Sequence, residues 1–224
     1  MSSQQSSSVK SILNGSRTYA ELDEFFEKQL REAGYGGLEI QKSPVGTTLK
    51  VYVARPGLAI GRRGTGIKDL TDKVAAQFSF PNPQIAVSEV ENPALNARIM
   101  ASRVAQIVSR GTAFRRAANW TLNNIMAAGA AGCEISVAGK LRSDRSRGEK
   151  YRAGIVPKSG DTADRTVMEA TTDVLLKLGL YGIKVKIAVK DAIQPEFLLK
   201  EEIKQEENKQ DGTAESEGTK GTGR

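Results

Sequence analysis

"VARPGLAIGRRGTGIKDL", residues 53–70, carries four glycines within ten positions: Gly57, Gly61, Gly64 and Gly66. It follows an alternating apolar run and opens into a stretch with apolar residues at helical spacing. Glycines between a strand and a helix let backbone N–H groups come close to a phosphate. The question is whether that phosphate belongs to a nucleotide cofactor or to a nucleic-acid backbone. A dinucleotide fingerprint reads G-x-G-x-x-G, whereas "GRRGTG" has the two spacings in reverse order. Nor is the helix expected to lead into a parallel strand ending in an acidic, ribose-binding residue. A P-loop requires G-x-x-x-x-G-K-[ST]. The one Gly-Lys pair, Gly139-Lys140, has Glu134 where the leading glycine belongs and Leu141 where Ser or Thr belongs. Both nucleotide motifs fail.

Composition narrows the remaining options. The 224 residues have an ordinary 39% hydrophobic fraction and suffice for two small domains. No run of eighteen apolar residues is present, so no membrane span is expected. "MSSQQSSSVK" lacks the apolar segment of a secretory signal. The single cysteine, Cys133, cannot form an internal disulfide, which suits a reducing, cytoplasmic setting, and it reads as a small core residue. The absence of histidine removes the commonest general base and the commonest metal ligand. No catalytic residues, metal or cofactor are therefore expected. The net charge of +7 is uneven. Residues 1–95 carry 11 Lys/Arg against 10 Asp/Glu, residues 96–195 carry 17 against 8, and residues 196–224 carry 5 against 8. A basic block of this kind points to a polyanionic partner.

Upstream of the glycine stretch, residues 1–17 are Ser/Gln-rich and are expected to form a disordered or extended arm. Thr18 and Glu21 have capping-box spacing ahead of a stripe of Tyr19, Leu22, Phe26 and Leu30, with Gly34 as the C-terminal stop. Two alternating strands follow, "GGLEIQKS" and "TTLKVYVAR", with a turn at Pro44 and Gly46. Downstream, Ile67, Leu70, Val74 and Phe78 predict a helix, and "PNPQIAVSEV" predicts a third strand. Asn92-Pro93 reads as a helix cap opening a second domain. One helix is expected from about Pro93 to Arg110, and a second, capped by Thr112, ends at Gly129. The strands "GCEISVAGK", "KYRAGIV" and "GIKVKIAV" complete the second unit. Residues 162–179 fit either a helix or a strand running into a turn, the latter being favoured. The charged residues 196–224 read as a disordered tail.

A G-x-x-G tetrapeptide between a short helical turn and a longer helix is the arrangement of KH modules, whose loop clamps a single-stranded RNA backbone. Gly61 and Gly64 supply close approach, while Arg62 and Arg63, with Lys68 in the following helix, supply cations suited to phosphate oxygens. The expected class is α+β: a type II KH domain (helix-strand-strand-helix-GxxG-helix-strand) over 18–91, then a two-helix plus β-sheet domain over 92–195. In the second domain, "GKLRSDRSRGEKYR" (residues 139–152) presents Lys140, Arg142, Arg145, Arg147, Lys150 and Arg152. With so few apolar residues this segment is expected to order only against RNA. Tyr151 reads as partly core, and Trp120 as core or interface rather than a base-stacking platform.

"RPGLAIGRRGTGI" and "FRRAANWTLNNIMAAGAAGCEISVAGKLRSDRSRGEKY" resemble segments of the small-subunit ribosomal protein S-three family, in its archaeal and eukaryotic branch. The run Gly129-x-x-Gly132-x-Glu134-x-x-Val137-x-Gly139-Lys140-Leu141 resembles that family's carboxy-terminal signature. The resemblance covers residues 10–195. It implies a two-domain structural protein in the head of the small ribosomal subunit. Such a protein binds small-subunit rRNA, meets neighbouring ribosomal proteins and lines the channel through which messenger RNA enters. It further implies that Arg115 and Arg116 face that messenger RNA, and that the chain is not a homo-oligomer. Asn119 stands where bacterial members carry a lysine. The rival expectations are a free-standing KH regulator or assembly factor, and a nucleic-acid lyase acting through a lysine.

Overall fold

The computed structural model describes residues 2–43, 46–78, 80 and 82–190. The chain opens with helix α1 (Ser2–Gln29), strands β1 (Tyr35–Lys42) and β2 (Thr47–Val53), and a one-turn helix α2 (Pro56–Ile60). Helix α3 (Thr65–Gln77) and strand β3 (Pro83–Glu89) complete this first part. Its sheet has the order β1-β2-β3, with β1 antiparallel to β2 (Ile40 opposite Leu49). Strand β3 is parallel to β2, with Ile85 opposite Leu49. Alternation along β2 buries Leu49, Val51 and Val53 against Leu22 and Phe26 of α1, Leu30 just past its end, and Leu70 and Val74 of α3. Phe25 and Phe78 meet edge to face at 6.0 Å, closing one end of this core.

Three expectations are corrected here. Helix α1 begins at Ser2, so residues 2–17 continue the helix where a disordered or extended arm was expected. Thr18 is interior to it: its hydroxyl donates back to the Asn14 carbonyl at 2.7 Å, and Glu21 is taken by Arg17 instead of closing a capping box. No proline interrupts the Ser/Gln-rich segment, so the helix propagates through it. Strand β3 runs parallel to β2 and ends at Glu89, contrary to the expectation that the α3 helix leads to no such strand. The exclusion of a dinucleotide site therefore rests on the glycine spacing alone. Pro44 lies outside the described residues, but Ser43 and Gly46 exchange two backbone hydrogen bonds across that turn, at 2.9 and 3.2 Å.

The second part packs α4 (Ala97–Ser109) and α5 (Phe114–Ala127) on one face of an antiparallel sheet. That sheet is built from β4 (Ala130–Gly139), β5 (Arg147–Gly154), β6 (Val167–Leu176) and β7 (Gly179–Val189), in the order β5-β4-β7-β6. Met100, Ala101, Val104 and Val108 of α4 and Ala118 and Ile125 of α5 meet Cys133, Ile135 and Val137 of β4 and Ile183, Val185 and Ile187 of β7. Burial pushes the Cys133 thiol up to about 12, with the Glu134 carboxylate adding to the shift, so the residue is the inert core group expected. The helix cap lies later than Asn92. Pro93–Leu95 forms a separate 3-10 turn, and Asn96 accepts from the N–H groups of Arg98 and Ile99. Helix α5 starts after Ala113 with no side-chain cap, so Thr112 does not cap it. Residues 161–166 form a short helix, α6, ahead of β6; the favoured strand holds for 167–176 only. The tail from residue 191, including 196–224, lies outside the described residues.

Polar contacts fasten the two parts together. Arg98 of α4 donates from Nη1 to both oxygens of Asp23 in α1, at 2.7 and 2.8 Å, and the Tyr35 hydroxyl donates to the same carboxylate at 2.6 Å. Asn96 Nδ2 donates to the Gly36 carbonyl at 3.1 Å, and Arg31 Nη2 donates to the Asp173 carbonyl at 3.3 Å. Gly36 is glycine for reasons of space: a Cβ there would lie 3.0 Å from Val90 Cγ2 and 3.2 Å from Ile99 Cδ1.

Candidate nucleic-acid interface

The glycine loop is built by two helices that nearly touch. Proline at the first position opens α2, and Gly61 ends it at φ 70°, ψ 177°, a conformation open essentially to glycine alone. A 3-10 turn follows over Arg62–Gly64, in which Arg63 (φ 54°, ψ 25°) and Gly64 (φ 76°, ψ 15°) are both left-handed. The chain then enters α3. A Cβ on Gly66 would lie 2.6 Å from the Ala59 carbonyl oxygen, so this glycine lets α3 close on the end of α2. The N-cap residue of α3, Gly64, offers no side-chain acceptor to the first-turn N–H groups, and the Thr65 N–H donates to the Arg62 carbonyl. Arg62, Arg63 and Lys68 are exposed, and among the described residues none of them forms an ion pair.

The basic segment of the second part is divided by the pleat of β5. Residues 140–146 form the connection, and β5 begins at Arg147, opposite Gly139. Glu149 and Tyr151 pair with Val137 and Ile135 and so lie on the helix-covered face. Lys150 and Arg152 pair with Ser136 and Glu134 on the opposite face. On the helix side, Glu149 gathers its neighbours. Arg115 Nε and Nη2 reach it at 3.0 and 3.2 Å, Arg142 Nη2 at 3.0 Å, and the Tyr151 hydroxyl at 2.6 Å. On the other face, Arg152 binds the buried Glu134 at 2.6 Å, and Lys184 and Lys186 both bind Glu169. Arg115, Arg142 and Arg152 are thus held within the chain. Arg116, Lys140, Arg145, Arg147 and Lys150 make no ion pair among the described residues. This corrects the expectation that 139–152 orders only against RNA, because β5 pairing and Glu149 already order most of it.

Two comparisons bear on these elements. A KH domain model matches residues 21–95, and a model described as Ribosomal protein S3, C-terminal domain, matches residues 104–187. Small ribosomal subunit protein uS3 of Thermofilum pendens is 47% identical over 194 residues, spanning 87% of this chain and 96% of that protein. The chain belongs to the uS3 family. Small ribosomal subunit protein uS3 of Methanothermobacter thermautotrophicus is 42% identical over 175 residues, or 78% of this chain and 68% of that protein. In this uS3-family chain the glycine loop falls within the KH match. Arg115, Arg116 and residues 140–152 fall within the C-terminal match.

Sequence reasoning missed two features of this uS3-family chain. One is Glu149, which reads as one of two acids in a basic run, with Asp144, until strand register brings it to α5. The other is Trp120, expected in the core or an interface but 43% exposed, with the Arg103 guanidinium over its ring at 5.1 Å. The Tyr151 and Arg115 hydrogen bonds hold the Glu149 carboxyl below its ordinary 4.5. A carboxylate depressed in this way stabilises the folded chain above its ordinary value, and that contribution disappears as pH falls through the lower folded value. Glu149→Gln is expected to melt below the parent at neutral pH, with the gap closing under acid. Thermal melts from about pH 7 down to about pH 3, across the ordinary carboxylate range, check this; a constant gap would contradict it.

Proposed function

We propose that this chain is a structural constituent of the small ribosomal subunit and not an enzyme. In this reading it acts in the cytoplasm and binds small-subunit rRNA in the subunit head. The functional division falls at 91/92, between a KH domain over 18–91 and a ribosomal domain over 92–195. The carrying observation is the uS3 likeness, which spans 87% of this chain and nearly all of the first relative. The loop Gly61-Arg62-Arg63-Gly64, with Lys68, serves as the KH clamp on an RNA backbone. Lys140, Arg142, Arg145, Arg147, Lys150 and Arg152 bind RNA phosphates, and Arg115 and Arg116 face messenger RNA where it enters. Glu149 sets the side-chain directions of Arg115 and Arg142, while the unpaired cations around it offer the uncompensated charge. Neighbouring ribosomal proteins are further partners, and the chain acts as a single copy. Among the described residues no group of His, Cys, Asp or Glu could hold a metal, and no helix is long and apolar enough to cross a membrane.

The chain is expected to co-sediment with small subunits through a high-salt wash. Recovery only from the free pool would favour the rival reading, a free-standing KH regulator or assembly factor. Replacing Arg145, Arg147 and Lys150 together with Ala is expected to flatten the slope of log K against log salt for an rRNA fragment. The change is about 2 to 3 units, at about 0.9 per phosphate contact. An unchanged slope would show that these cations are merely solvated.

A further inference from the structure

Where the two parts meet, a cleft of about 560 Å³ opens beside α4, within the range of roughly 300–1,000 Å³ typical of ligand sites. Its floor is small and apolar, made by Gly34, Ala54 and Ile99; Gly34 takes φ +78°, and a Cβ there would meet Ala54 Cβ at 3.0 Å. Its lining is cationic and aromatic: Arg55 at the N-cap of α2, Arg103 on α4, Arg110 at the C-cap of α4, and Trp120 from α5. No Asp or Glu lines it. Among the described residues Arg103 and Arg110 pair with no carboxylate, and the Arg55 guanidinium donates to the Glu32 carbonyl, at 2.8 Å. Three exposed guanidiniums thus line one cleft with no carboxylate in its lining, a local excess of positive charge that attracts an anion. Trp120 narrows the choice, because Arg103 covers its ring from one side while 43% of the residue stays exposed. An acidic peptide would satisfy the arginines and leave the indole unused, whereas a nucleotide uses both.

The cleft also has a direction. A second cleft shares Arg55, Gln106 and Arg110 with it and is lined also by Arg31, Glu32 and Leu58 of α2, the last 56% exposed and three residues before Gly61. Beyond the lining residues, Arg116 lies one helical turn before Trp120 on α5, on the same face. We propose that this cleft is an additional RNA site. It takes an unpaired nucleotide of a strand that continues to the Gly61–Gly64 loop, the base stacking on Trp120 and the phosphates lying on Arg55, Arg103 and Arg110. The proposal rests on the RNA-binding reading above and adds to it a base-stacking site outside the KH loop.

Trp120 is the chain's one tryptophan, so its fluorescence reports this cleft alone. The probe is oligouridine of about 12 nucleotides, within the roughly 4–16 nucleotides that single-strand sites of this size cover. The full chain is titrated while Trp120 emission and the anisotropy of end-labelled RNA are followed together. The expected result is saturable quenching with the same midpoint as the anisotropy. Trp120→Ala is expected to weaken binding roughly 5- to 100-fold, the usual worth of one stacked base. Trp120→Phe should restore most of it, and Arg110→Gln, which leaves the ring in place, should weaken binding as well. Saturating anisotropy with unchanged Trp120 emission would overturn the cleft and leave the RNA-binding reading intact. So would quenching by polyglutamate but not by RNA. No anisotropy change with any RNA would overturn both.

Discussion

Gly64→Asp is expected to lose at least about tenfold in affinity for single-stranded RNA, about 1.4 kcal/mol, while its melting temperature hardly moves. The reason lies in the two different jobs of the loop glycines. Gly64 is left-handed, a conformation Asp tolerates better than most residues, and nothing lies within 4 Å of where its Cβ would go. The substitution therefore acts through charge: it sets a carboxylate beside Arg62 and Arg63 and at the mouth of α3, where a phosphate would sit. Gly61→Asp differs. At φ 70°, ψ 177° only glycine is comfortable, and the new Cβ would meet the Gly66 nitrogen at 3.0 Å. Backbone strain there costs about 1–3 kcal/mol, or roughly 2–12 °C in Tm for a chain of this size. Its RNA affinity should fall with its stability. Anisotropy and thermal melts on both variants separate the two effects. Unchanged RNA affinity in Gly64→Asp would remove the loop from the interface.

Asp23→Ala is expected to lower Tm by roughly 4–8 °C, from about 2 kcal/mol lost. One carboxylate accepts from Arg98 twice and from Tyr35 once, and it is mostly buried. Its removal leaves the Tyr35 hydroxyl without its acceptor. The Arg98 side chain is 42% exposed and can return to water, which keeps the cost below that of a fully buried pair. The loss should fall on the junction between the two parts. Limited proteolysis is therefore expected to cut near residues 90–92 faster than in the parent. A melting temperature within a degree of the parent would mean that the remaining contacts, Ile99 and Asn96 on Gly36 and Arg31 to the Asp173 carbonyl, suffice to hold the junction.

What could be read in advance follows the range over which each signal acts. Period-two alternation in "TTLKVYV" and "GIKVKIAV" produced β2 and β7 directly, because burial of one face is imposed at each second residue. The G-x-x-G loop was legible for a similar reason: backbone conformation at Gly61 and Gly64 is decided within four residues. Helix starts were not. Thr18, Asn92 and Thr112 each have capping chemistry, yet none caps a helix: Asn96 caps α4 and α5 starts without a side-chain cap, because tertiary packing selects among near-equal local options. The candidate site was legible as composition but not as arrangement. Residues 140–152 are visibly basic, but their division between two faces needs the register of β5 on β4. Arg55 precedes α2, whereas Arg103 and Arg110 belong to α4 and its C-cap, so their shared cleft depends on how the two parts pack.

The Asp23–Arg98 junction has a consequence beyond stability. The glycine loop and the basic strand β5 stand at a separation set when the chain folds. An RNA held at one of them therefore meets the other at a high effective concentration, with little orientational freedom left to lose. Loosening that junction would lower avidity without touching a single phosphate contact, so Asp23→Ala should weaken a long RNA spanning both regions more than a short one that reaches only the loop.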